Sequence, residues 1–104
     1  MISYHLSIIT PTGKVFNGQV EFLIAPGESG FFGILGNHAP IIASLRGGPL
    51  TVKQNACDHF FAVSAGVLEM NAKNEVLLLA DYAVNVKTYE EAKTFVAESR
   101  VSVP

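Results

Sequence analysis

Turn signals recur along this chain at about ten-residue spacing, and they constrain its fold more than any other feature. They are clusters of Gly, Pro and Asn, residues that supply the backbone conformations needed by tight chain reversals. Short segments separated this regularly are typical of an all-β sandwich or barrel. The clusters lie at residues 11–13, 26–30, 36–38, 46–49, 55–58 and 71–74.

The segments between these turns alternate in character from one residue to the next. Val20 and Phe22, for example, fall on one face of a strand, and Glu21 between them falls on the other face. Successive side chains of a strand point to opposite faces, so this period of two predicts strands. A strand that is apolar on both faces is covered on both sides, here by a second sheet and by something else. Three segments have this double character: 8–9, 23–24 and 76–79.

The period changes after Val86, where a helix is predicted. Thr88 with Glu91 three residues later is the pattern of a capping box at a helix start. An isolated helix of about three turns is marginal in water, so it must dock on the sandwich or on a partner. We therefore predict a β-sandwich domain over residues 1–86 and the start of a C-terminal helical segment over residues 87–104. The apolar residues at helical spacing are Tyr89, Ala92, Phe95 and Val96.

Composition excludes several classes of function. Hydrophobic residues make up 49% of the chain and charged residues 15%, against about 25% charge in a typical domain, which excludes a disordered chain. The seven Lys and Arg form no basic cluster, so no nucleic-acid partner is expected. No apolar run approaches the roughly 18 residues of a membrane-spanning helix, so no membrane insertion is expected. The single cysteine, Cys57, fits a reducing compartment, and no signal peptide is apparent.

Few residues could carry chemistry. His5, His38 and His59 lack the spacing of metal ligands, and neither a metal ion nor another cofactor is expected. Glu69 and Asp81 could approach each other across neighbouring strands, but the acids are otherwise spread one per segment. No nucleophile elbow or phosphate-binding loop occurs. The alternative to a non-enzymatic function is a β-sandwich or jelly-roll enzyme, or a small ligand-binding module, that uses His38 or His59.

The segment 31–42 is unusually apolar for a stretch bounded by turns. Apolar surface left in water usually marks a protein contact, so we expect part of this segment in the core and part at a contact edge. His38 lies inside it between apolar neighbours, where a polar side chain more often orders a loop or contacts a partner than catalyses a reaction.

A specific motif lies within this segment. Residues 33–35 read Gly-Ile-Leu, and residues 37–40 read Asn-His-Ala-Pro. With these residues the chain resembles the epsilon subunits of bacterial and chloroplast rotary ATP synthases, the counterparts of the mitochondrial delta subunit. The resemblance covers about residues 1–86 and continues into the start of the helix. Further matches lie at residues 6–11, 15–16, 18, 25–27, 30, 45, 48–50, 61–63, 66–69 and 76–81.

The resemblance implies a ten-stranded antiparallel β-sandwich followed by a short C-terminal α-helix. It implies a non-catalytic rotor subunit of the proton-translocating ATP synthase, bound to the gamma subunit and seated on the membrane c-ring. Such a subunit couples proton flow to ATP synthesis, lies on the cytoplasmic face of the bacterial inner membrane, and in many relatives restrains ATP hydrolysis. Contact roles are carried over to Phe31, Gly33, Asn37, His38, Ala39 and Pro40.

Two departures from the family pattern change these expectations. Phe31 stands where the family's ring-facing loop often has a polar or acidic residue, so an apolar contact is expected there. Some relatives bind ATP through an Asp-x-x-Arg-Ala run, but this chain has Glu90, Lys93 and Thr94 at those positions, and Lys lacks the bidentate fork of Arg. Only the first of the family's two C-terminal helices is begun before Pro104. We therefore expect no ATP binding, and weak or absent inhibition through an extended helical hairpin.

Overall fold

Eight strands and one helix form the described part of the chain, which in this computed structural model is residues 2–101, with side chains up to residue 95. The prediction of an all-β fold with a C-terminal helix is confirmed. Residues 102–104 of the predicted helical segment lie outside the described residues. The elements are β1 (Tyr4–Thr10), β2 (Gly13–Val20), β3 (Phe22–Gly27), β4 (Gly30–Leu35), β5 (Ile41–Gln54), β6 (Cys57–Met70), β7 (Glu75–Ala80), β8 (Ala83–Val86) and α1 (Tyr89–Val101).

The hairpin of β5 and β6 determines how the other strands are arranged. Each strand has 14 residues, and their antiparallel ladder runs from the Ile41–Met70 pair to the Gln54–Cys57 pair. The ladder is interrupted at Gly47, which has a φ of 93°, and the following Gly48 has a φ of 151°. Glycines in such conformations mark a bend inside a strand.

Each half of this hairpin carries its own neighbours. Residues 66–70 of β6 pair with β7, which continues to β1 and β2. Residues 60–63 of β6 pair with β8, and residues 51–53 of β5 pair with β3, which continues to β4. After a register shift, Gly27 at the end of β3 also pairs with Leu45, just before the bend. The bend thus folds one hydrogen-bonded sheet into two layers. Layer one contains β2, β1, β7 and the adjoining half of the hairpin, and layer two contains β8, β3, β4 and the other half.

Three details differ from the prediction. The strand number is eight rather than ten, because β5 and β6 each run through both layers and a division at the bend would add two. One pair, β1 with β7, is parallel, since the chain crosses layer two before it returns beside β1. The turn signal at residues 46–49 is the bend inside β5 and not a chain reversal.

The core lies between the layers and is supplied by one face of each strand. In β1, Leu6 and Ile8 are fully buried, and in β7 Leu78 is fully buried, while their neighbours in sequence are partly exposed. Tyr4 is 1% exposed, and its hydroxyl donates a hydrogen bond of 2.8 Å to the carbonyl oxygen of Ile34. This bond joins β1 in layer one to β4 in layer two and satisfies a buried polar group.

The helix α1 packs on the outer face of layer two. The hydroxyl of Thr88 accepts a hydrogen bond of 3.0 Å from the backbone N–H of Glu91, which confirms the predicted N-cap. Ala92 is fully buried with Ala62, and Val86 packs against them. The predicted docking of the helix on the sandwich is confirmed. Within the described residues, this helix is too short and too polar to cross a bilayer.

The turn between β7 and β8 supports the same contact. The hydroxyl oxygen of Ser64 accepts hydrogen bonds from the backbone N–H groups of Asp81, at 2.8 Å, and Tyr82, at 3.1 Å. The Tyr82 ring packs edge-on against Phe95, with centroids 5.7 Å apart. Val96, also assigned to the docking face, lies outside the described side chains.

The buried hydroxyl of Tyr4 makes stability sensitive to alkaline pH. Burial raises its pKa well above the ordinary value of 10.0, so the unfolded chain loses this proton first as pH rises. The stabilisation that the buried, protonated Tyr4 gives the folded state is therefore complete below about pH 10 and declines above it. We expect the free energy of unfolding in urea to fall above pH 10 more steeply in the native sequence than in Tyr4→Phe. Parallel pH profiles for the two proteins would contradict this assignment.

The sandwich should fold without the helix. Deleting residues 88–104 exposes Ala62 and Val86 but leaves the main core intact, because that core contains no helical residue among the described side chains. We expect a loss of about 1–3 kcal/mol in the free energy of unfolding, with the strand signal in circular dichroism retained. Thr88→Ala, which removes only the cap, should cost about 1 kcal/mol. Global unfolding of the deletion variant would show that the helix belongs to the core.

Candidate partner-contact surface

The strand β4 forms one edge of the sheet, and it carries the first predicted contact residues. It pairs with β3 and has no further strand neighbour within residues 2–101. Phe31, Gly33 and Leu35 alternate with the buried Ile34, so they lie on the outer face of layer two. Phe31 is 46% exposed and Leu35 is 52% exposed. An edge strand with exposed apolar side chains is a surface suited to a protein contact.

The surface around Gly33 is shaped by two aromatic rings. A Cβ atom on Gly33 would lie 2.9 Å from the ring of Phe22, so a side chain here would displace that ring. The guanidinium of Arg46 lies over the ring of Phe31, 5.8 Å from its centroid, in cation–π geometry. Phe31 is thus held in place while it remains half exposed.

The loop that follows β4 carries the remaining predicted contact residues. The backbone N–H of His38 donates to the carbonyl oxygen of Leu35 at 3.3 Å, which closes a β-turn. Asn37 has a φ of 64° at the third position of this turn, where a positive φ is required in a type II turn. The ring Nδ1–H of His38 donates to the carbonyl oxygen of Ala39 at 2.7 Å. Residues 37–40 are all exposed.

The predicted contact residues form a line and not a compact cluster. Phe31 and Gly33 lie on the outer face of β4, and residues 37–40 lie in the loop at its far end. Four residue steps of extended chain, about 13 Å, separate Phe31 from Leu35, where the turn that carries Asn37 begins. A partner that touched both ends would therefore bind along the edge of the sandwich.

A second exposed apolar surface, on the outer face of layer one, was not assigned residue by residue from the sequence. Val67, Leu79 and Ile9 lie side by side on β6, β7 and β1. Val67 is 42% exposed, Leu79 is 45% exposed, and Ile42 on β5 is 73% exposed. Leu77 on β7 and Ile42 on β5 extend this surface on either side of Glu69, which pairs with both of them. These five apolar residues are called the layer-one patch below.

The signal for this patch was present in the sequence. The doubly apolar segments 8–9 and 76–79 indicated strands covered on both faces. In the structure, one parity of each segment enters the core and the other, including Ile9 and Leu79, faces outward. The structure therefore shows which apolar residues lack cover from within the described chain.

The three histidines are far from forming one site. The ring Nε2 of His5 lies 2.6 Å from the side-chain oxygen of Asn17, in a hydrogen bond between β1 and β2. His38 lies in the loop before β5. His59 is the third residue of β6, close to the turn that joins β5 to β6, and it pairs with Val52. His38 and His59 are thus at opposite ends of the long hairpin.

The acidic residues are equally dispersed. Glu69 pairs with Leu77 on β7, while Asp81 lies beyond Ala80, which pairs with Gly66, so several rungs of the ladder separate the two acids. Among the side chains that the structure describes, those of residues 2–95, no group of three or more His, Cys, Asp or Glu is placed to hold a metal ion.

Comparison with known proteins identifies the class. Residues 3–86 match the family model described as ATP synthase, Delta/Epsilon chain, beta-sandwich domain. The ATP synthase epsilon chain of Caulobacter vibrioides is 37% identical over 84 residues, which are 81% of this chain and 96% of the relative. That of a Bradyrhizobium species is 35% identical over 98 residues, or 94% of this chain and 71% of the relative. That of Pelotomaculum thermopropionicum is 38% identical over 95 residues, or 91% and 70%.

Solved structures share the fold at low sequence identity. A chain of the Euglena gracilis mitochondrial ATP synthase OSCP/F1/c-ring assembly superposes with a TM-score of 0.76 at 18% identity, covering 95% of this chain and 64% of that chain. A chain of the Tetrahymena thermophila mitochondrial ATP synthase central stalk and c-ring superposes with a TM-score of 0.69 at 15% identity, covering 95% and 89%. At these identities the likeness establishes the fold alone.

The strand arrangement and these matches define a β-sandwich subunit of ATP synthases. The chain belongs to the ATP synthase delta/epsilon family, and it contains that family's N-terminal β domain and a short C-terminal helix. Within the family its function is that of the ATP synthase epsilon subunit. The alternative of an enzyme or ligand-binding module that uses His38 or His59 is not favoured.

Proposed function

We propose that the chain is a non-catalytic rotor adaptor that binds both the gamma subunit and the c-ring and turns with them. Proton flow through the ring is thereby coupled to ATP synthesis. The complex containing it lies on the cytoplasmic face of the bacterial inner membrane, with the sandwich outside the bilayer. The observation that carries this proposal is that one sandwich presents two exposed apolar surfaces, the layer-one patch and the β4 edge with its loop.

We assign the layer-one patch to gamma. It is a broad sheet face, with Val67, Leu79 and Ile9 adjacent on three neighbouring strands. Monomeric proteins rarely leave contiguous apolar patches in water, and such patches mark protein interfaces. A sheet face offers the large, regular area that a lasting contact between subunits needs.

We assign the β4 edge and the loop of residues 37–40 to the c-ring. This segment carries the motif that resembles the ring-facing loop of the family. It combines an exposed apolar side chain, Phe31, with an exposed polar turn at Asn37 and His38. Apolar anchors surrounded by polar groups are the usual composition of a protein–protein contact. The residue-by-residue contact roles remain predictions.

The sandwich itself supplies the mechanical link between the two surfaces. The β5–β6 ladder crosses from layer one to layer two without leaving hydrogen-bonded structure, apart from the interruption at Gly47. The Tyr4 hydroxyl adds a bond between β1 and β4, one strand from each layer. Because dense cores are poorly compressible, a displacement of one surface is transmitted to the other.

Charge placed on the β4 edge should weaken seating on the ring. The double variant Phe31→Asp, His38→Asp introduces two carboxylates outside the core, so the fold should be retained with a loss of about 1–2 kcal/mol. We expect at least a tenfold loss of retention on membranes carrying gamma and the c-ring, as for truncation of interface hot spots. ATP-driven proton pumping should fall with it.

The matched control is Cys57→Asp, at an exposed position near the other end of the β5–β6 hairpin. This control should bind and couple as the native chain does. Full retention and full coupling by the double variant would refute the assignment of this edge to the ring.

Charge placed on the layer-one patch should instead weaken binding to purified gamma. Val67→Asp and Leu79→Asp each put a carboxylate among apolar neighbours, and we expect a loss of affinity of about tenfold or more in a titration. The control is Val84→Asp, a valine of similar exposure on β8 in layer two. Equal affinity of all three variants for gamma would show that the patch is not the gamma interface.

A further inference from the structure

One asparagine side chain joins three segments beside the proposed ring-contacting loop. The side-chain oxygen of Asn74 accepts a hydrogen bond of 2.7 Å from the backbone N–H of Asn37. Its side-chain N–H donates at 3.1 Å to the backbone carbonyl oxygen of Ser3. Asn74 belongs to the turn between β6 and β7, so it connects that turn to the loop after β4 and to the segment before β1.

The turn that presents Asn74 is itself fixed. The side-chain oxygen of Asn71 accepts hydrogen bonds from the backbone N–H groups of Lys73, at 2.8 Å, and Glu75, at 3.1 Å. The backbone N–H of Asn71 donates to the carbonyl oxygen of Glu75 at 3.0 Å. Asn74 has a φ of 63°, a left-handed conformation that asparagine adopts more readily than most residues. Its amide is therefore held at a defined place.

The loop packs closely on the segment to which Asn74 also bonds. A Cβ atom on Gly36 would collide with the backbone carbonyl oxygen of Ile2, so only a glycine permits this approach. Asn37, the next residue, is the donor to Asn74. The Gly36 contact and the two bonds of Asn74 thus act on the same two chain segments.

We propose that Asn74 is the positioning residue of the ring-contacting loop, because its amide fixes the turn at Asn37 and His38 against layer one. The inference rests on the proposed contact of this loop with the ring. A loop that is already ordered binds more tightly than one that must be ordered on binding. Asn74 acts through the loop and not by touching the partner.

Two substitutions separate the bonds. Asn74→Gly keeps the left-handed backbone and removes both hydrogen bonds. Asn74→Asp keeps the acceptor for the Asn37 N–H and removes the donor to Ser3. In the isolated chain we expect amide hydrogen exchange at Asn37 to accelerate about tenfold in Asn74→Gly and to stay near the native rate in Asn74→Asp.

Assembly with membranes carrying gamma and the c-ring gives the second readout. Asn74→Gly should weaken retention about 5–10-fold, and Asn74→Asp should restore most of it. In a chain that already carries His38→Asp, adding Asn74→Gly should weaken retention by less than about twofold, because both changes act on the same contact. A purely structural role would instead lower thermal stability and add its effect fully to that of His38→Asp.

The outcomes distinguish this inference from the proposed function. Unchanged Asn37 exchange in Asn74→Gly overturns the inference whatever the assembly shows. Full retention of Asn74→Gly also overturns it if Phe31→Asp, His38→Asp weakens retention. If neither Asn74→Gly nor the double variant Phe31→Asp, His38→Asp weakens retention, the proposed contact of the loop with the ring is wrong. The inference that Asn74 positions a ring-contacting loop is then wrong as well.

Discussion

The pairing of β5 with β6 is the constraint on which the rest of the structure depends. Its ladder extends through both layers, and every other strand is positioned by one half of it or by a strand attached to that half. The bend needs glycine twice, because Gly47 and Gly48 both have positive φ, and a Cβ atom on Gly48 would lie 3.1 Å from the Cβ atom of Pro26. The two glycines therefore permit the bend by which β5 continues from layer one into layer two.

The outer faces explain an apolar composition that the core alone does not absorb. Hydrophobic residues form 49% of the chain, and the interior takes one parity of each strand. The outward-facing residues include Ile42, 73% exposed, and Leu79, 45% exposed, on layer one. Phe31 on the β4 edge is 46% exposed. In the proposed assembly, contacts with gamma and the c-ring cover these side chains. The chemistry of the described residues agrees, since their histidines and acids are dispersed while their apolar residues are grouped.

Sequence patterns were sufficient where the signal is local. The period of two located the strands, and Thr88 with Glu91 located the start of α1, because a cap is made within one turn of helix. The sequence of residues 46–49 predicts a reversal where the structure has a bend, since glycine and proline supply the conformations of both. The sequence does not indicate which residues of segment 76–79 face outward, because the residues on both faces of that strand are apolar. Asn74 bonds to Asn37, which is 37 positions away in the sequence, and to Ser3, which is 71 positions away. No local sequence pattern encodes contacts over such separations.

The central claim is that the loop after β4 lies against the c-ring while the other end of the β5–β6 hairpin does not. A photoactivatable cross-linker on a cysteine tests it directly in the assembled complex. With His38→Cys in a Cys57→Ser background, we expect adducts with the c subunit and loss of ATP-driven proton pumping after illumination. The same reagent on the native, exposed Cys57 should give no c-subunit adduct. Adducts with the c subunit from position 57 and none from position 38 would contradict the account.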